Sequence, residues 1–215
     1  MKKNQFIFLV LILFISSFCY SKGLLNERYA LVTAGTYNSG DDFIKSLDDS
    51  IANYNLSTNL PFSDQADFVL NIDDTSFKGK FNNGTINGSR RLLEAGANFS
   101  FKPKQEFNPF VGVCAEYLES KGKLISETVW DHGREKTTGI SFDFGFQYLM
   151  PYEVASKTTF KYFDVGFYDD FSINETLNYW FNKAVGIGAG FEYLVDSGDY
   201  KVFLGVTMDV DGSIL

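Results

Sequence analysis

The sequence predicts an all-β protein, an antiparallel transmembrane up-and-down β-barrel of about ten strands, with eight as the alternative count. Three observations carry this. Apolar and polar residues alternate with period two in segment after segment, as a strand requires and a helix does not tolerate. Hydrophobic residues make up 45% and aromatics 17% of the chain, yet beyond its N-terminal segment no apolar run approaches the roughly 20 residues of a spanning helix. A chain that crosses a bilayer without such a run has to close its sheet, because lipid offers backbone groups no hydrogen-bond partner.

The N-terminal segment is read separately. Met1, Lys2 and Lys3 give a positive start, Phe6 to Ile15 are uninterruptedly apolar, and small residues Cys19 and Ser21 occupy the −3 and −1 positions of a cut after Ser21. This order is that of a secretory signal peptide. Residues 1–21 are therefore expected to be cleaved, leaving residues 22–215 as a single outer-membrane β-barrel domain. A lipid anchor on Cys19 is the rival, and bulky Phe18 before it speaks against that processing.

Five strands are regular. Leu93 to Phe101 sets Leu93, Ala95, Ala97, Phe99 and Phe101 against Glu94, Gly96, Asn98 and Ser100. Val111 to Tyr117 opposes Val111, Val113, Ala115 and Tyr117 to Gly112, Cys114 and Glu116. Gly139 to Tyr148 places Ile140, Phe142, Phe144, Phe146 and Tyr148 on one face and Ser141, Asp143, Gly145 and Gln147 on the other. Val185 to Val195 and Lys201 to Val210 repeat the pattern, with Phe203 breaking the polar face once. Tyr29 to Tyr37, Ala52 to Leu60, Asp67 to Ile72, Thr158 to Phe167 and Phe171 to Phe181 have strand composition but less regular faces, and Glu175 falls among the apolar positions of the last of these.

The connections alternate in kind. Short links carry Pro or compact polar residues, at Pro61 to Ala66, Pro103 to Phe107, Pro151 to Ala155 and Asn182 to Lys183. Three long polar stretches, Asn38 to Ser50, Thr75 to Ser89 and Ser120 to Thr137, read as outer loops. Short inner turns and longer outer loops are the asymmetry of an outer-membrane barrel, and an even strand count leaves both termini at the inner end.

Residue types choose which face meets lipid. The apolar faces hold Phe, Ile, Val and Tyr with no interleaved Lys or Glu, while the polar faces are rich in Gly, as a narrow lumen crowded by side chains from opposite strands would need. Aromatics gather near strand ends, at Tyr117, Tyr148, Tyr152, Tyr179, Trp180, Phe181 and Tyr193, where membrane interfaces accommodate an apolar ring with a polar tip.

Charge excludes some functions. Without Lys2 and Lys3 the chain holds 17 Lys and Arg against 27 Asp and Glu, a net charge of −10, so it has no basic footprint for nucleic acid. Cys114 is the cysteine left after processing, which leaves no internal disulfide. The lone His132, within Trp130 to Arg134, reads as a solvated loop residue, because adjacency to Ser and acids in a loop does not supply a nucleophile within reach of its base. One histidine, one cysteine and no clustered ligand spacing argue against a transition-metal site. Asn71 to Thr75 and Asp196 to Asp199 fit no calcium-loop spacing. Gly186, Gly188 and Gly190 are one face of a strand and open no helix that would cradle phosphate. No catalytic residue, metal ligand or cofactor is expected.

The alternation points Glu94, Glu116, Asp143, Asp164, Glu192, Lys201 and Asp209 into the lumen. Buried charges pair or stay hydrated, so a partly wet, acidic interior is expected, with Lys201 and Arg91 or Lys161 pairing some of the acids. A network that plugs the barrel is favoured over an open pore, since eight to ten strands enclose little more than room for side chains.

The segments GISFDFGFQYLM, VGIGAGFEYLV and NPFVGVCAEYLE resemble strands of the small outer-membrane barrels, such as the OmpA-type membrane domain, OmpX-like proteins and the YfaZ group. The resemblance spans Tyr29 to Val210 and is one of pattern. It implies outer-membrane lipid and the outer-membrane insertion machinery as partners, and a non-enzymatic surface, structural or weakly pore-forming role, with an extracellular ligand of the loops left open. Such chains commonly end on an aromatic residue, whereas this one runs on through Asp211 to Leu215. Two other roles stay open: a narrow channel favouring small cations, and a soluble periplasmic barrel carrying an apolar ligand.

Overall fold

Ten strands, all antiparallel, close on themselves in a computed structural model that describes residues 25, 27–39, 51–81, 84–103, 105–125, 130–166 and 168–210. They are β1 (Tyr29–Asn38), β2 (Ala52–Pro61), β3 (Ala66–Phe81), β4 (Gly84–Ser100), β5 (Phe107–Ile125), β6 (Trp130–Met150), β7 (Val154–Val165), β8 (Tyr168–Trp180), β9 (Val185–Leu194) and β10 (Tyr200–Asp209). Each strand pairs with its chain neighbours, and β1 pairs with β10 from Tyr29↔Asp209 to Asn38↔Tyr200. Closure thus leaves no sheet edge around the ring. The expected signal segment, the stretch 40–50 and the tail after Val210 lie outside the described residues.

Four connections are short, at 62–65, 101–106, 151–153 and 181–184, and they lie at the same end of the barrel as Tyr29 and Asp209. The opposite, outer end departs from expectation. The stretches Thr75 to Ser89 and Ser120 to Thr137, read above as loops, are largely strand, because β3 and β4 stay paired up to Phe81↔Gly84 and β5 and β6 up to Ile125↔Trp130. Where both faces of a sheet meet water, a segment can keep its ladder of hydrogen bonds while losing the alternation that marks a strand. β2 stops pairing with β3 at Ala52↔Ser76, and β7 stops pairing with β6 at Ile140↔Asp164. The outer parts of β3 to β6 therefore rise past the rim as a four-stranded sheet. On β6 this adds the ten residues 130–139, about 33 Å of extended chain.

Burial separates the two faces of the wall. Val32, Phe142, Phe144, Val113, Leu204 and Val206 are exposed on the outside, Leu204 to 64%. The inward positions between them are polar or glycine. On β6, β8 and β10 the outward apolar band runs Ile140 to Tyr148, Phe171 to Tyr179 and Val202 to Val210, about 26 Å along each strand. Exposed tyrosines 54, 162, 193 and 200 flank the band toward the outer end. Phe62, Phe101, Phe107, Tyr148 and Tyr152 flank it at the end that holds Tyr29 and Asp209. Trp180 is an exception to the expected aromatic girdle. It is 1% exposed and turns inward, where it packs with Tyr29, Leu31 and Ala155.

The strand glycines also have a different reason from the one expected. A Cβ at Gly205 would collide with the Val32 carbonyl on the adjacent strand, and one at Gly145 with the Thr158 carbonyl. Crowding comes from the neighbouring backbone of a tightly coiled wall more than from side chains across the lumen.

Candidate functional site: a charged interior

Two apolar layers bracket the lumen. Near the termini, Tyr29, Leu31, Ala155 and Trp180 form a cluster on which Leu149 packs. Buried Leu25 lies at the same end, its N–H donating to the Gln147 side chain at 2.8 Å. With the Asn178 amide oriented to satisfy both of its ends, its oxygen accepts from Trp180 Nε1 at 2.8 Å. Toward the outer end, Leu118, Phe163, Val165 and Leu194 form a second cluster with Leu92 against it.

A cavity of about 190 Å³ lies in the lumen, walled by Asp73, Glu94, Glu116, Asp143, Lys157, Lys161, Glu192 and Lys201 among others. Two ammonium groups organise the charges. Lys161 on β7 binds Glu94 on β4 and lies 3.2 Å from Glu116 Oε1 on β5. Glu94 and Glu116 are cross-strand partners, and Asp143 is the partner of Lys161, so β4 to β7 bring three carboxylates to one cation. Lys201 on β10 lies 3.1 Å from Asp73 on β3 and 2.8 Å from its own strand partner Glu192. Neither Lys side chain is more than 13% exposed. Each cluster spans the barrel as a chord, since three strand steps separate β7 from β4 and β10 from β3.

Of the residues expected in the lumen, Glu94, Glu116, Asp143, Glu192 and Lys201 line this cavity. Asp209 has inward parity opposite Tyr29 and is not among the residues that wall the cavity. Asp164 is a correction. It pairs with outward Ile140, is exposed, and follows Tyr162 on the outside of β7, whose inward positions are Lys157, Thr159, Lys161 and Phe163. Arg91 is a second correction. It points outward and clamps Asp74 through Nε and Nη2 at 2.7 and 2.9 Å, while its neighbour Arg90 takes the inward place, over the ring of Tyr37 at 5.3 Å. Sequence reasoning missed Asp73, Lys157 and Arg90. Their signal was parity, since Asp73 follows Asn71 on the inward face of a strand read only as far as Ile72.

One ligand-like cluster emerges that spacing along the chain did not show. Donor atoms of Glu94, Cys114 and Asp143 lie within 4.8 Å of one another. Lys161 already places its ammonium on Glu94 and beside Glu116, which supplies the cationic charge a metal ion would bring. At the outer mouth, a vestibule of about 700 Å³ is rimmed by Tyr37, Ser39, Thr75, Arg90 and Asp199 among others. The Tyr37 hydroxyl and Ser39 Oγ both donate to Asp199 there, the latter at 3.1 Å.

Glu175 keeps the simple register and stands on the outside of β8, where the Ser156 and Thr158 hydroxyls of β7 donate to its carboxylate. Phe160, Ile173, Leu177 and Phe191 surround it. A carboxylate on a lipid face is unfavourable. Glu175→Leu is therefore expected to raise the urea midpoint of the vesicle-embedded barrel, by about 1 kcal/mol in stability; a lower midpoint would show that the hydroxyl contacts outweigh the desolvation.

On the outer sheet, the hydrogen bonds that Arg91 donates to Asp74 raise its affinity for its proton. Burial works against the charge of Glu119, but the Arg134 guanidinium bound to it, with Lys121 at 3.5 Å, holds its carboxyl below the usual range.

No known family's sequence profile matches the chain, and no curated protein matches it in sequence. Among solved structures, it is similar to Ail, the attachment invasion locus protein of Yersinia pestis, at 14% identity, covering 85% of this chain and 99% of that one with a TM-score of 0.42. Neisserial surface protein A is similar at 12% identity, 85% and 96% coverage and a TM-score of 0.40. The transport unit of the autotransporter AIDA-I from Escherichia coli is similar at 8% identity, 94% and 97% coverage and a TM-score of 0.47.

Proposed function

We propose that this chain is an integral outer-membrane protein whose barrel is a closed structural support, holding a four-stranded sheet outside the cell as its surface of interaction. The observation that carries the reading is the inverted wall. Phe142 and Phe144 are each 51% exposed outside, whereas Glu116 is 3% exposed inside. A water-soluble barrel would reverse these faces, and burying ionised groups beside exposed phenylalanines makes sense only where the outer solvent is apolar. The apolar band, about 26 Å along strands that tilt by about 40° in outer-membrane barrels, stands about 20 Å tall, near the height of the apolar belt of such barrels, and aromatic residues flank it at both ends. The apolar-ligand alternative is disfavoured by the same interior, because a lipidic guest would have to displace the ion pairs of Lys161 and Lys201. The channel alternative is disfavoured by the apolar layers around Trp180 and Phe163.

One preparation tests both parts. Reconstituted into phospholipid vesicles, the full chain is expected to resist carbonate extraction and to migrate faster on gels before boiling than after. In planar bilayers it should show no steady conductance. Release by carbonate would sink the membrane reading, and stable cation-selective steps would replace the closed support with a pore.

A further inference from the structure

The outward face of the protruding sheet is laid out in rows by the strand register. The last row of the apolar band across β3 to β6 is Ile72, Leu93, Tyr117 and Thr138, each the partner of the next. One step outward, two residues along each strand, the row is Asp74, Arg91, Glu119 and Lys136. The step after that is Ser76, Ser89, Lys121 and Arg134. Farther out on the same face stand Lys78 and Lys80 on β3 and Lys123 on β5. Among the described residues, seven cations against two carboxylates thus share one face of a chain whose net charge is −8. They are accessible: the side chains of Arg91, Arg134 and Lys121 are 53%, 55% and 50% exposed, and the four other lysines are exposed as well. Where the ring continues on β7 and β8, the exposed outward charges at comparable height are Asp164 and Asp169. The positive charge therefore belongs to one side of the barrel.

We propose that this face binds the phosphate groups of an outer-leaflet glycolipid, an inference that rests on the membrane reading above. Position favours a lipid over a water-borne polyanion. The first two cationic rows lie about 7 and 13 Å along the strands beyond the last apolar row, and on a tilted strand these distances bring them to the headgroup layer. They also face sideways, continuous with the apolar band, so one molecule can lay acyl chains on Leu93 and Tyr117 and a phosphate on the rows above. Arg91, Lys121, Arg134 and Lys136 span two strand spacings and one row, a patch about 10 Å across, which suits a headgroup carrying more than one phosphate. Asp74 and Glu119 fit this role as positioning residues. Asp74 engages Nε and Nη2 of Arg91, which leaves Nη1 for a phosphate oxygen, and Glu119 steadies Arg134 and Lys121.

The test uses the full chain in detergent micelles at fixed salt, titrated with lipid A bearing both phosphates, with phosphate-free lipid A, with inorganic pyrophosphate and with heparin. Diphosphorylated lipid A is expected to bind most tightly. K121Q/R134Q/K136Q should weaken it at least about tenfold, while K102Q/K183Q at the opposite end should leave it unchanged. Heat-modifiable migration of the triple variant would show that its barrel is intact. The proposal is overturned if the triple variant binds lipid A as the parent does, if phosphate-free lipid A binds equally, if pyrophosphate alone binds as tightly as the lipid, or if heparin is preferred over lipid A. Any of these in a chain that still resists carbonate extraction would leave the membrane reading standing.

Discussion

Lys161→Met is expected to destabilise the barrel by about 3–5 kcal/mol, read as a lower urea midpoint for the vesicle-embedded protein. The methionine keeps most of the side-chain volume, so lost packing contributes little. What changes is charge: Glu94 and Glu116 lose the ammonium they share, and Asp143 loses its partner across the β6–β7 ladder. Glu116 already has both carboxylate oxygens buried without a hydrogen bond and relies on the nearby cation. Adding Glu94→Gln and Glu116→Gln to the same chain should recover most of the loss, because a buried polar group without charge costs less than an uncompensated ion. An unchanged midpoint for Lys161→Met would show that water hydrates these carboxylates well enough to replace the lysine, and that the interior is wetter than its burial implies.

Val206→Arg should cost about 2–4 kcal/mol in vesicles, since a guanidinium would be placed at the middle of the outward apolar band of β10. Ser76→Arg, on the same outward face but two rows above the band, is expected to be nearly neutral. The contrast is the informative part. In a barrel surrounded by water both substitutions would be surface changes of a few tenths of a kcal/mol, so equal and small effects would remove the membrane from the account.

Much of this architecture was legible because an apolar outer face and a polar lumen enforce strict alternation. Where a strand has hydrocarbon on one side and a polar lumen on the other, as in β6, β9 and β10, every second residue reports its side. All ten strands lie near the stretches where sequence placed them, including the less regular β1, β2 and β8. Legibility failed where one of the two solvents changes. Above the band both faces meet water, so Thr75 to Ser89 and Ser120 to Thr137 look like loops although their described parts are paired up to Phe81↔Gly84 and Ile125↔Trp130. On β7 the inward face carries apolar Phe163 and Val165 and the outward face carries Ser156, Thr158 and Asp164, so polarity misleads while parity does not. With Lys161 inward, a regular strand sends Asp164 outward, and with Glu94 inward it sends Arg91 outward. The interior pairs were only half legible for another reason. Parity shows that Lys201 and Asp73 both face inward, but not that the coiling of the ring brings β10 within reach of β3.

The Lys201–Asp73 bridge also has a bearing on assembly. Its two residues are 128 positions apart and sit on the third and the tenth strand. Lys161 and Glu94 are 67 apart. The second contact needs only β4 to β7, whereas the first does not exist until β10 has closed on β1, so an unclosed sheet would leave Asp73 without the ammonium that only the finished ring brings. Such distant contacts slow the search for the native state. They also make partial structures unprofitable, so that zipping β1 to β10 and burying the lumen charges should occur together as one cooperative event.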